Sequence, residues 1–326
     1  MTSRPQLLLY AVVLAATAVS ASAEDLRTWR HGIVEAKSDA GFVMMPSRHD
    51  FAAKQGLKIE FVQLKGDALV LKAFLAGELD SYEGSPGGAI IAASHGADVK
   101  VVGCYWPGLT YGLFARNDVK SIADVKGRAF GISSPGSLPD LVARAILEKN
   151  GLIGDDVRFA VMGSDADRFR ALTAGTVDVA AISAEFQPLA AAQGIKLLVH
   201  AQDELPQYLR FCTYMSGKTL ASRNDEAVRF LTAEMQGFRY ALAHRDEEIA
   251  LTREIIGAKP DDPRPAQIFD EVVRYSAVDP TMPLPMDKLA WMQQLLGKTG
   301  NLPKPGDLSR MVDPEIAAKA RLRADQ

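Results

Sequence analysis

Cysteine is scarce in this chain: Cys104 and Cys212 are the only two in 326 residues. One disulfide is therefore the most that can form, which excludes a disulfide scaffold, and no pair of CxxC elements is present to build a structural zinc site. An oxidising compartment would permit the two cysteines to pair, and the sequence leaves open whether they do. Histidine is nearly as sparse. His31, His49, His95, His200 and His244 stand apart, with no HExxH arrangement, and read as structural or surface residues rather than metal ligands or bases. There is no GxSxG, and both SGKT (216–219) and GKTG (297–300) lack the earlier glycine of a phosphate-binding loop, Cys212 and Met292 standing in its place. No catalytic group, metal or cofactor is expected. An excess of positive charge is missing as well: 37 Lys and Arg against 40 Asp and Glu give a net charge of −3, which offers nucleic acid no electrostatic footing.

Long apolar runs are confined to one place. Arg4 precedes LLLYAVVLAATAV (7–19), and Ala21-Ser22-Ala23 follows as a small-residue cleavage pattern before Glu24. The run is short for a span, which takes about 20 residues. It reads as an export signal, residues 1–23, leaving a mature chain of net charge −4 in the periplasm, with no direct membrane insertion. What remains suits a soluble globular protein: the chain is 48% hydrophobic and 24% charged, and long enough for two compact domains.

The pattern along the chain alternates. Strand-like runs at 28–36, 57–64, 78–84 and 99–106 are separated by helix-like segments at 42–55, 67–77 and 88–96, which predicts a parallel sheet covered on both faces. Pro46 weakens the first helix unless it falls in the opening turn. Residues 110–118 read as an extended crossing segment. The pattern then restarts with RAFGIS (128–133) and a helix over 137–151, in which Ser137 can cap the start, Asp140 reinforces the positive end and Gly151 closes in the left-handed conformation. YLRFCTYMS (208–216) reads as a returning strand, 224–257 as two or more amphipathic helices, and 266–275 and 286–297 as further helices. The tail after Leu302 reads as peripheral.

One phrase is written twice. FLAGELD (74–80) and LTAGTVD (172–178) lie 98 positions apart, and the same shift pairs Asp67 with Asp165, Ser85 with Ser183 and Gly96 with Gly194. Upstream it lays IEFVQL (59–64) on VRFAVM (157–162). Such self-similarity indicates two related α/β units.

An ordered set of segments carries a resemblance. GFVMMPSRHDFAAKQGLKIEFV, AFLAGELD, SIADVKGRAFGISSPGS, DLVARAILEKNGL, DDVRF and ALTAGTVDVAAI follow one another as in the solute-binding proteins of ABC importers for nitrate, taurine, sulfonates and pyrimidine precursors, which the chain resembles over most of its mature length. The resemblance implies the two-lobed α/β periplasmic binding protein fold of type II, each lobe a mainly parallel sheet flanked by helices, with two crossing segments as hinge. It implies lobe 1 from 24–114 plus 212–326, lobe 2 from 115–211, a monomer, a small-molecule ligand in the cleft, and a separate permease and ATPase. A same-fold enzyme, such as a pyrimidine synthase or a menaquinone-pathway lyase, and a ligand-sensing subunit are the alternatives.

Open α/β sheets bind ligands beyond the carboxyl ends of their strands. That rule selects Lys37, Ser38, Asp39, Glu83, Gly84, Ser85, Pro86, Tyr105 and Trp106 from the first unit, and Ser133, Ser134, Gly136, Ser137, Ser164, Asp165, Ser183, Glu185 and Phe186 from the second. SSPGS (133–137) offers glycine for close approach and hydroxyls and amides for an anion, unless Ser137 serves only as a cap. SPGG (85–88) reads as a similar loop or a tight turn. Glu83 and Glu185 would accept hydrogen bonds from an amine, amide or hydroxyl and repel a bare anion, or else lie solvated on the surface. Trp106 either stacks on a planar ligand or packs under the hinge, and Arg116 reads as an exposed structural residue.

Overall fold

The computed structural model describes residues 26–325, so the export signal falls outside the described residues. The first unit runs β1 (Arg27–Val34), α1 (Ala40–Arg48), α2 (Phe51–Lys54), β2 (Leu57–Leu64), α3 (Asp67–Leu75), β3 (Ser81–Gly84), α4 (Pro86–Ser94) and β4 (Lys100–Trp106). The second runs β5 (Tyr111–Arg116), β6 (Ala129–Ile132), α5 (Leu138–Lys149), β7 (Arg158–Val161), α6 (Asp165–Thr173), β8 (Val179–Ser183), α7 (Gln187–Ala190), β9 (Ile195–His200) and α8 (Ala201–Glu204). The chain then returns through β10 (Phe211–Met215) and ends in α9 (Gly217–Ser222), α10 (Asn224–Ala243), α11 (Arg245–Ile256), α12 (Arg264–Tyr275), α13 (Met286–Lys298) and α14 (Pro314–Ala324).

These strands build two five-stranded sheets with one shared plan. The first has the order β2-β1-β3-β10-β4 and the second β7-β6-β8-β5-β9. Replacing each strand of the first by its equivalent in the second converts one order into the other. In both, the fourth strand is antiparallel to its neighbours and comes from across the hinge: β10 returns after the second unit, and β5 enters before it. The rest is parallel, with β1 between β2 and β3, and β6 between β7 and β8. Helices cover both faces, and β8 at the centre of the second sheet and β4 at the edge of the first are buried almost throughout, as apolar runs require.

The doubled phrase has a local physical reason. Gly77 and Gly175 follow α3 and α6 in the left-handed region, at φ 79° and 73°, where a helix stops and a side chain would be strained. Three residues on, Asp80 accepts from the Arg30 amide at 2.7 Å and Asp178 from the Ala129 amide at 3.0 Å, locking β3 to its neighbour β1 and β8 to its neighbour β6.

Several expectations shift. Residues 111–116 are a paired strand of the second sheet, so the first crossing lies ahead of Tyr111 rather than at the 114/115 division, and Phe211 already pairs with Trp106 in the first sheet. Pro46 sits well inside α1. It is accommodated because Gly237 of α10 faces it: a methyl there would lie 2.6 Å from Pro46 Cγ. The tail is not peripheral. Val312 bridges to Val101 of β4, and Ile316, Ala317 and Ala320 of α14 are buried in the same core as Phe230 and Leu231 of α10, because the apolar side chains of IAAKA recur at helical spacing. Cys104 and Cys212, both fully buried on neighbouring strands β4 and β10, are joined in a disulfide. Among the described residues no helix is long and apolar enough to cross a membrane.

Candidate functional site

The carboxyl ends of the strands in both sheets converge where the two lobes meet. The loop after β1 supplies Lys37, Ser38 and Asp39. Lys37 Nζ reaches across to Asp165 Oδ2 at 2.7 Å, and the Ser38 amide donates to Glu185 Oε2 at 3.3 Å. Both contacts join the first lobe to the second.

Asp165 is the hub of the second lobe's side. It opens α6, following Ser164, whose side chain accepts from the Asp167 amide and caps the helix. Besides Lys37 it accepts from Tyr111 Oη at 3.0 Å, from the Ser183 amide at 3.1 Å and from the Arg168 guanidinium. Burial pushes its carboxyl up, but the charges of Lys37 and Arg168 outweigh this and hold it well below the usual carboxylate range. The Lys37 ammonium, which burial alone would lower, is raised by Asp165. Among the described residues Glu185 has no cation bonded to it, only the Ser38 amide. Burial first, then the nearby Asp165 charge, pushes it up to about 7, the Ser38 contact offsetting part of the shift.

On the first lobe's side Glu83 accepts from Tyr105 Oη. Burial raises it to about 8, with Asp39 adding to the rise and the Tyr105 bond opposing it. Glu83 and Glu185, at 4% and 5% exposure, are therefore not solvated surface groups. Arg210 is the residue that sequence reasoning missed. It lies in the segment entering β10, is only 2% exposed, and packs its guanidinium over Trp106 at 4.1 Å and Phe211 at 4.7 Å, within the range of a cation–π contact. Its Nη2 bonds Asp39, while Nε and Nη1 have no partner among the described residues. Trp106, fully buried and edge-on to Phe42 at 5.8 Å, packs beneath the hinge and serves as the platform for this cation. A cation inside an otherwise apolar strand segment was the available signal.

Among the described residues, Ser38 Oγ and Thr110 Oγ1 are buried without partners, and the Ser85 and Tyr208 hydroxyls lie against each other with no further one. Leaving such groups unpaired costs about 1–3 kcal/mol each, and these four lie on strand-end loops and crossing segments, where another molecule can supply missing bonds.

SSPGS behaves differently from its sequence reading. Ser137 does not cap α5 with its side chain; its Oγ donates to the Ser134 carbonyl at 2.6 Å. The Gly136 amide is taken by Asp140 Oδ2 at 2.7 Å and the Ser137 amide by Ser134 O at 3.2 Å. Ser133 is half-buried and Ser134 exposed. The loop meets SPGG across the cleft, where a methyl on Gly87 would lie 3.7 Å from the Gly136 carbonyl. Pro86 begins α4, Gly84 ends β3, Phe186 is buried against Phe169, and Arg116 pairs with Asp118 at 3.6 Å on the surface. Among the described residues no group of three or more His, Cys, Asp or Glu is placed to hold a metal ion.

Comparison with known proteins agrees with this architecture. YtlA of Bacillus subtilis is 25% identical over 214 residues, 64% of this chain and 63% of that protein, so the match spans less than two thirds of its relative. The periplasmic aliphatic sulphonate binding protein SsuA from Escherichia coli superposes with a TM-score of 0.74 at 20% identity, covering 88% of this chain and 92% of its own. The desulfurization enzyme DSZB, in a complex with biphenyl-2-sulfinic acid, gives 0.67 at 19% identity, covering 90% and 99%. The two-lobed fold is thus that of periplasmic ligand-binding components of ABC import systems, and it also supports an enzyme. A family model described as NMT1/THI5 like matches residues 39–248, a span that takes in the cleft residues from Asp39 to Arg210, and the chain belongs to that family.

Proposed function

We propose that this protein captures a small organic solute bearing an anionic group in the inter-lobe cleft and delivers it, with the lobes closed, to an ABC permease and ATPase from the periplasm. The observation that carries the reading is Arg210. A guanidinium 2% exposed, with two of its nitrogens unpartnered, lies in an unfavourable environment unless an acceptor joins it. A carboxylate or sulfonate is the acceptor whose geometry a guanidinium fits best. SsuA, by its description a sulphonate binder, shares the fold and makes sulfonates a natural first class to try, beside carboxylates and pyrimidine-like solutes. Lys37 to Asp165 and Ser38 to Glu185 would favour the closed state, and a solute touching both lobes would add to them.

Binding without turnover is the expected behaviour, so a solute that binds should be recovered unchanged. The test is a thermal-shift and calorimetric screen of residues 24–326 against these classes. At 100 times the dissociation constant a ligand stabilises the fold by about 2.7 kcal/mol, a rise of a few degrees. Arg210→Met should weaken an anionic solute roughly thirtyfold or more. Unchanged affinity in that variant would remove Arg210 from the site, and conversion of the solute would replace binding with catalysis.

A further inference from the structure

The two units repeat a carboxylate as well as a fold. Asp67 opens α3 as Asp165 opens α6, and each accepts from the serine amide eighteen positions on: Asp67 Oδ1 from Ser85 at 3.3 Å, Asp165 Oδ1 from Ser183 at 3.1 Å. Around that common core the halves diverge. Asp165 holds an ammonium, Lys37 Nζ, delivered by the loop after β1 of the opposite lobe. The loop equivalent to that one, after β6, is SSPGS (133–137) and carries no cation. Among the described residues Asp67 has no ion-pair partner, and the Ser85 amide is its one hydrogen-bond donor. Lys37 and Arg210 act on it only at a distance, and burial outweighs them to raise its carboxyl. Beside it the Ser85 and Tyr208 hydroxyls, 7% and 0% exposed, lie against one another and, among the described residues, have no further partner.

We propose that Asp67 with Ser85 receives a protonated amino group of the solute, in the way Asp165 with Ser183 receives Lys37, while Arg210 receives the solute's anionic group. This rests on the anion-binding reading above and narrows it: the solute is a small zwitterion with its ammonium on the first lobe's carboxylate. A half-buried carboxylate without an ion-pair partner is in an unfavourable setting, and a charge-assisted bond to an ammonium relieves it as the Lys37 bond does in the other half.

The experiment is a calorimetric comparison, on residues 24–326, of β-alanine and 4-aminobutyrate with propionate and butyrate. The amino acids should bind about ten- to a hundredfold more tightly than their amine-free counterparts, and Asp67→Asn should bring that ratio to about one. Ser85→Ala provides a second variant should the first fail to fold, and the wild-type ratio needs no variant. Amine-free acids that bind as tightly as the amino acids would overturn the ammonium subsite and leave the anion-binding cleft standing. If neither series binds, the carboxylate-binding reading fails and the subsite falls with it.

Discussion

Glu185 and Glu83 are acids whose folded environment favours the proton. For Glu185 the ordinary value of 4.5 rises to about 7 through burial and the Asp165 charge. A folded value above the unfolded one means that its contribution to stability is full below pH 4.5 and is lost as pH rises through 7. Melting midpoints between pH 5.5 and 8.5 should therefore fall with rising pH. Glu185→Gln, which stays neutral and keeps an acceptor for Ser38, should remove the part of that fall that begins above 4.5 and levels off near 7, while Glu83, raised to about 8, leaves a component that continues to higher pH. An unaltered profile in the variant would assign the titration elsewhere. At this scale residue order makes positions more legible than environments. Ser38, Asp39, Asp165, Ser183 and Glu185 converge as the strand-end rule expects, because that rule depends only on topology. The burial of the two glutamates and the packing of Arg210 over Trp106 and Phe211 depend on side chains that the fold brings together from distant positions, as it brings the Ser38 amide to Glu185, which residue order does not express.

Among elements, the two helix-ending glycines make a matched pair. Gly77→Ala and Gly175→Ala each place a Cβ at a φ of 79° or 73°, which should cost about 1–2 kcal/mol. At Gly77 the added methyl meets nothing within 4 Å, whereas at Gly175 it meets the Arg116 guanidinium. Urea denaturation should therefore show a loss in both variants and a loss at Gly175 at least as large. Equal stability to wild type would mean the left-handed turns are not needed to end α3 and α6. The repeat was readable because a helix, a stopping glycine and a strand-locking aspartate are local chemistry. The role of α14 was not, since its buried stripe consists of one isoleucine and small alanines whose value comes only from the surface of α10. Pro46 shows the same limit: its place inside α1 depends on a glycine nearly two hundred residues later.

For the molecule as a whole, sequence order supported two lobes and a return crossing but left the cysteines undecided, because adjacency of β4 and β10 exists only once the second lobe has been made and the chain has come back. Cys104 and Cys212 are 108 positions apart, and nearly everything between them is the second lobe. That lobe is consequently a closed covalent ring set into the first. A protease that cuts it once, for instance beside Ile153, which is 64% exposed, opens the ring without releasing either part. The nicked protein should run as one species on a denaturing gel without reductant and as two fragments with it. Separation without reductant would mean the ring is open in solution. If it is closed, a single scission in an exposed loop leaves both crossings tethered at their roots, giving the protein a tolerance to proteolysis that a simple linear pair of domains lacks.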